Sequence, residues 1–220
     1  ANTGGLLQYE VNDATAALQN AIDEFLAAQI TNLDKYMSIK PQLADTANWK
    51  KIAGDGEITF ENGSMTIPDG ACVSYTGERF GNKLFTFRVK FEKENAENAL
   101  NSAIYFRLGN PDNRIWSNNS GYLLWIKDAT LEYQKWAPGQ DLISYDNDWI
   151  QAGTEYEITV GVYDMADDKV KYELWVDGEK VYEKEVTGAN LHGEEGYLSF
   201  STAGATMTIT PVEVDTSTLE

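Results

Sequence analysis

Two hydrophobic periods divide the chain. Between residues 12 and 33 the apolar positions Ala14, Leu18, Ile22, Phe25, Ile30 and Leu33 recur at the spacing of one helical face. Asn12 or Asp13 can cap the start with a side-chain oxygen. Pro41 has no N–H to continue the ladder, so the helical region ends before it. Such a helix is marginal alone in water, so its stripe must be covered, either by the following domain or by a neighbouring helical module. From Trp49 onward the period is two. Phe85, Phe87, Val89 and Phe91 alternate with polar positions, and the same pattern recurs in Tyr156–Val162 and Tyr172–Val176. Asn62-Gly63, Pro68-Asp69-Gly70, Asp177-Gly178, Gly193 and Gly196 punctuate the runs as turns. About ten to thirteen short strands fit between Trp49 and Val214, which predicts an all-β antiparallel sandwich or barrel behind a short N-terminal helical segment. The expected division is a helical segment or spacer over 1–43, a β-sandwich over 44–215 and a tail over 216–220.

Charge narrows the partners. Among 220 residues, 17 Lys+Arg stand against 35 Asp+Glu, a formal net charge of −18. Without a basic stripe, nucleic acid is excluded as a partner, and an anionic membrane or an acidic polymer is repelled. No apolar run approaches the roughly 18 residues of a membrane span. One Cys (Cys72) and one His (His192) allow neither an internal disulfide nor a Cys/His zinc cluster. Nucleotide-binding glycine loops and a nucleophile elbow are missing from the sequence. An acidic, aromatic-rich and nearly Cys-free composition points to an extracellular or cell-surface protein of a Gram-positive bacterium. The start Ala1-Asn2-Thr3 reads as a mature or trimmed end, and Leu219-Glu220 as a cloning remnant.

Seven segments then appear in a telling order: Asp45–Trp49, Glu61–Ile67, Phe85–Phe91, Asn101-Ser102-Ala103-Ile104-Tyr105-Phe106-Arg107, Gly121–Ile126, Trp175-Val176-Asp177-Gly178 and Gly193–Phe200. This order resembles the concanavalin A-like lectin/glucanase jelly roll. It is most similar to the branch holding laminin-G-like domains, fructan-binding carbohydrate modules and 3-keto-disaccharide hydrolase-like domains. The resemblance implies a two-sheet jelly-roll sandwich. It does not choose among enzyme, lectin and adhesive module. Residues 1–43 resemble the helical spacers between modules of large secreted bacterial surface proteins, which implies neighbouring modules as partners.

Sugar rings present apolar faces rimmed by hydroxyls, so a glycan site needs flat aromatics beside polar groups. Residues 105–136 supply them densely. Alternation puts Ser102, Ile104, Phe106 and Leu108 on one face and Ala103, Tyr105 and Arg107 on the other. Since an unpaired Arg resists burial, the Arg107 face is expected to be the wet one. The same rule turns Trp125 and Lys127 outward, with Glu132, Gln134 and Trp136 on the polar face of the next strand. If these strands adjoin, Tyr105, Arg107, Trp125, Lys127, Gln134 and Trp136 line one surface, with Arg114 and Trp116 in an overhanging loop that also holds Asn118 and Asn119. The alternatives are core packing for the Trp residues and an Arg107–Glu132 pair across the sheet. Trp49, Trp149 and Trp175 read as core or cross-strand packing.

A structural calcium ion would find oxygens in Asp164–Asp168, Asn110–Asn113 and Asp146–Asp148, stretches that equally suit turns. The Glu-x-Asp-x-x-Glu strand of retaining glucanases is missing, although Glu132 with Asp128 or Glu157 could pair. The expected function is therefore a non-catalytic carbohydrate-binding module on the concave sheet, taking a polysaccharide or oligosaccharide. A glycoside or keto-sugar hydrolase and an adhesive domain without glycan ligand remain the alternatives.

Overall fold

A computed structural model describes residues 11–22, 34–117, 119–136 and 140–214, in two compact units split between Lys35 and Tyr36. In the first unit residues 11–22 form helix α1. The predicted stripe residues Phe25, Ile30 and Leu33 lie outside the described residues, as does the tail over 216–220.

The second unit is a sandwich of two sheets. The first holds β1 (Tyr36–Ser38), β3 (Thr59–Glu61), β4 (Ser64–Ile67), β6 (Lys83–Glu92), β11 (Glu155–Asp164), β12 (Lys169–Val176), β13 (Glu179–Thr187) and β15 (Thr206–Pro211). Its order is β13-β12-β11-β6-β15-β4-β3, with β1 added parallel to β6. The second holds β2 (Trp49–Ala53), β5 (Cys72–Tyr75), β7 (Asn101–Leu108), β8 (Gly121–Lys127), β9 (Thr130–Trp136), β10 (Gln140–Asp146) and β14 (Tyr197–Ser201). Its order is β10-β9-β8-β7-β14-β5-β2, with each neighbouring pair antiparallel. Thus the all-β two-sheet fold expected from the alternation is the fold observed.

The alternation places the core. Phe85, Phe87, Val89 and Phe91 of β6 meet Ile104, Phe106, Tyr122, Leu124 and Phe200 of the other sheet, all at most 3 % exposed. A second, smaller cluster lies on the outer face of the seven-stranded sheet: Cys72, Ala103, Tyr105, Leu108, Ile115 and Leu123. It marks the face that a loop covers.

Two sequence expectations shift at the N-terminal boundary. Residues 36–43, read as spacer, belong to the sandwich unit: β1 pairs with β6, and Ile39 and Leu43 are buried in the core. Pro41 sits in the first turn of helix α2 (Lys40–Ala44), where its missing N–H has no partner to lose and its fixed φ suits the helix. It keeps a helix from arriving and lets a short one begin.

Candidate functional site

Strands β7, β8 and β9 are neighbours, so the predicted face assembles. Leu124, Ile126, Leu131 and Tyr133 point into the core, and alternation sends Leu123, Trp125, Lys127, Glu132, Gln134 and Trp136 to the outer face. On the neighbouring strand β10, Leu142 lies opposite Gln134 and Ser144 opposite Glu132. Leu142 is 54 % exposed.

A polar relay runs along this face. Lys127 donates to Glu132 Oε1, Gln134 Nε2 donates to Glu132 Oε2 at 2.9 Å, and Trp136 Nε1 donates to Gln134 Oε1 at 2.9 Å. Lys127 Nζ also stands 4.6 Å from the centre of the Trp125 ring. Gln134 is buried, so it orients Trp136 and Glu132 from beneath and offers no surface of its own.

The loop between β7 and β8 overhangs the face, as the sequence suggests. Ile115 plugs into the outer cluster at 0 % exposure. Trp116 lies nearly parallel to Trp125, 5.9 Å between centroids at 12°, and is 41 % exposed. The Arg114 guanidinium stands 5.5 Å from the Trp116 ring and donates to the Gly70 carbonyl at 3.1 Å. Arg114, Trp116, Trp125 and Lys127 thus form a layered cation–aromatic stack. Asn119 holds the loop closed: its Oδ1 accepts from the Asn110 N–H, and its Nδ2 donates to the Asn110 and Asn113 carbonyls. Asn118 lies outside the described residues. Tyr105 is covered by this loop, with its ring 6.3 Å from Trp116 and its hydroxyl 2.7 Å from that of Ser201. Burial raises its pKa well above the usual tyrosine value, so it is an uncharged support for Trp116 and is closed to ligand.

Arg107 departs from the expectation. Between the pairs Leu108–Tyr197 and Tyr105–Ser199, β7 carries one residue more than β14, a bulge. Arg107 takes φ 51°, and Leu108 is thrown onto the outer face, opposite to its predicted side. Gly196 makes the bulge possible, since a Cβ there would lie 2.2 Å from the Arg107 carbonyl carbon. The guanidinium leaves the wet face and is 2 % exposed at the sandwich edge. It donates to Asp164 at 2.8 Å, to Asn82 at 2.8 Å and to the Gly81 and Leu191 carbonyls. Its carboxylate partner is Asp164, and Glu132 pairs with Lys127 instead. Strand alternation could not show this, because the extra residue inverts the pattern after Phe106.

Trp49 is buried in the core, with Nε1 donating to the Gln42 carbonyl. Trp149 packs partly buried against that core, and Trp175 donates to Glu173 across the other sheet's outer face. The acidic loops carry turn chemistry. Asn110 Oδ1 accepts from the Asp112 N–H, Asn147 Oδ1 accepts from the Ile150 N–H, and Asp167 and Asp168 take left-handed turn conformations. Among the described residues no group of three or more His, Cys, Asp or Glu side chains could hold a metal ion. The two carboxylates weighed beside Glu132 from sequence have other partners. Asp128 binds Lys93 and the Leu100 N–H, and Glu157 faces Arg88 on the other sheet.

No family model matches the chain, and no curated protein matches it. Solved structures do. The carbohydrate recognition domain of Emp46p, as a point mutant, aligns at TM-score 0.56 and 10 % identity over 77 % of this chain and 88 % of that one. The β-glucanase of Bacillus licheniformis aligns at TM-score 0.49 and 11 % identity over 74 % and 88 %. A prokaryotic β-1,3-1,4-glucanase (lichenase) from a mouse hindgut metagenome aligns at 0.45 and 12 % over 74 % and 90 %. The fold of this chain is the concanavalin A-like jelly roll.

Proposed function

We propose that this chain is a non-catalytic carbohydrate-binding module of a larger secreted or cell-surface bacterial protein, taking a polysaccharide or oligosaccharide on the outer face of its seven-stranded sheet. The observation that carries the reading is one surface where the exposed Trp116, stacked on Trp125, stands beside Trp136 and the Lys127–Glu132 pair. Indole faces accept the apolar side of a sugar ring, while Lys127 and Glu132 supply a donor and an acceptor for its hydroxyls. The structural likeness to a carbohydrate recognition domain supports this reading. No helix among the described residues is long and apolar enough to cross a membrane. A glycan array run beside a reducing-sugar assay tests the proposal: it predicts retention on at least one polysaccharide without product. Silence across the array would favour an adhesive domain without glycan ligand.

One observation favours a hydrolase as the second reading. Asp146 of β10 lies opposite Thr130, on the face of Glu132. Diagonal neighbours on one sheet face lie within reach of long side chains, so two carboxylates share this face, as the chemistry of a glycosidase requires. Reducing-sugar release that Glu132→Gln abolishes would select this reading.

A further inference from the structure

A second cleft opens at the sandwich edge. It has a volume of about 240 Å³ and lies between the end of β7, the start of β8, the Arg79–Asn82 segment and the 190–195 loop. Arg107, placed there by the left-handed bulge, is among its lining residues, with its side chain buried. Backbone strain of this kind persists where surrounding structure enforces it and gathers at functional sites. A guanidinium has five N–H bonds. Gly81, Asp164, Leu191 and Asn82 accept four of them, and the fifth, on Nη2, has no acceptor among the described residues.

The walls carry both hydrogen-bonding senses. Arg79 donates to the Glu195 carbonyl and stands 5.9 Å from the Tyr197 ring centre. Glu194, Glu195, Asn190 and Ser120 line the cleft with it. An anion would meet two carboxylates in a chain of charge −18, with Arg107 already neutralised by Asp164. A metal cation would meet two guanidinium groups. A neutral polyhydroxy ligand suits such a lining, because each hydroxyl can donate to a carboxylate and accept from a guanidinium. The volume lies below the roughly 300–1,000 Å³ of drug-sized pockets, which limits the ligand to about one ring.

We propose that this edge cleft, lined by Arg107, Arg79, Glu194 and Asn190, is a second binding site for a single neutral sugar unit, independent of the tryptophan face. The test is amide and indole NMR on the whole chain, titrated separately with glucose, galactose, mannose, fructose and xylose, and with inorganic phosphate and calcium chloride. At least one sugar moves the Gly109, Ser120, Asn190 and Glu194 amide signals and leaves the Trp125 and Trp136 indole signals in place. Phosphate and calcium do not move those amides. Arg79→Ala weakens the response about tenfold or more, the loss expected for hydrogen bonds to a charged group, with the spectrum still dispersed. Glu194→Ala does the same and leaves the Arg79 bond to the Glu195 carbonyl in place. The proposal is overturned if no sugar moves these amides, or if phosphate or calcium moves them instead. It is equally overturned if Trp125→Ala abolishes the response and Arg79→Ala preserves it. Failure on the tryptophan face would appear in the indole signals alone and would leave the edge result standing.

Discussion

At the scale of single residues, the two arginines of the predicted site separate into different roles. Arg107 is bound into the sandwich edge by an ion pair and three further hydrogen bonds. Removing one partner of a buried pair leaves the other charged and unsolvated. Arg107→Ala is therefore expected to lower unfolding free energy by about 3–5 kcal/mol in a denaturant titration. A loss under about 1 kcal/mol, the range of an exposed pair, would mean that the guanidinium is solvated after all. Arg114 braces Trp116 at the surface, so Arg114→Ala should disturb binding more than folding. The tryptophan-rich face was legible in the sequence because Trp125, Lys127, Gln134 and Trp136 sit on regular strands, where alternation alone decides direction. Arg107 was not legible: its bulge depends on the absence of a Cβ at Gly196, some ninety residues away in the chain. The burial of Tyr105 was hidden likewise, since it follows from Ile115 and Trp116 folding back from a loop.

At the scale of elements, the β7–β8 loop works as a built layer. Ile115 is its anchor, and Asn119 ties its base together. Ile115→Ala should open a cavity over Tyr105 and Cys72 and cost about 2–5 kcal/mol. Thermal unfolding checks this; an unchanged Tm would show that the loop is not packed on the sheet. Asp45 joins α2 to β5 in a similar way. Hydrogen bonds from Asn48 (2.7 Å) and then from Tyr75 (2.8 Å) hold its carboxyl below its ordinary value of 3.8. Burial first, and then Asp45, push the Tyr75 phenol up to about 12. A carboxyl depressed on folding stabilises above its unfolded pKa, and that stability is lost as pH falls through the folded value. Asp45→Asn should thus flatten the acid limb of the stability profile below about pH 4, with little change in slope near neutrality. An unchanged acid limb would place the acid sensitivity in other carboxylates. The short helix α2 and the strand β1 were obscured because three to five residues are too few to display a period.

At the scale of the whole molecule, the sandwich carries a polar-aromatic outer face on its seven-stranded sheet. The order of strands was legible as a sequence of landmarks, since each strand carried its own alternation and turn chemistry. A structural calcium is the expectation raised by the acidic loops, and melting curves in millimolar calcium and in chelator test it: a higher Tm in calcium would reveal a site, because a ligand bound only by the folded form stabilises it, and coincident curves would remove the idea. The central claim is that Trp125 and Trp136 form a ligand platform on a folded frame. Its most direct test is to measure polysaccharide affinity and Tm together for Trp125→Ala and Trp136→Ala. Loss of a platform should weaken binding about thirtyfold, the equivalent of about 2 kcal/mol, with the melting transition close to the parent's. Variants that melt far below the parent, with the cost of about 3–5 kcal/mol expected for an emptied core site, would contradict it.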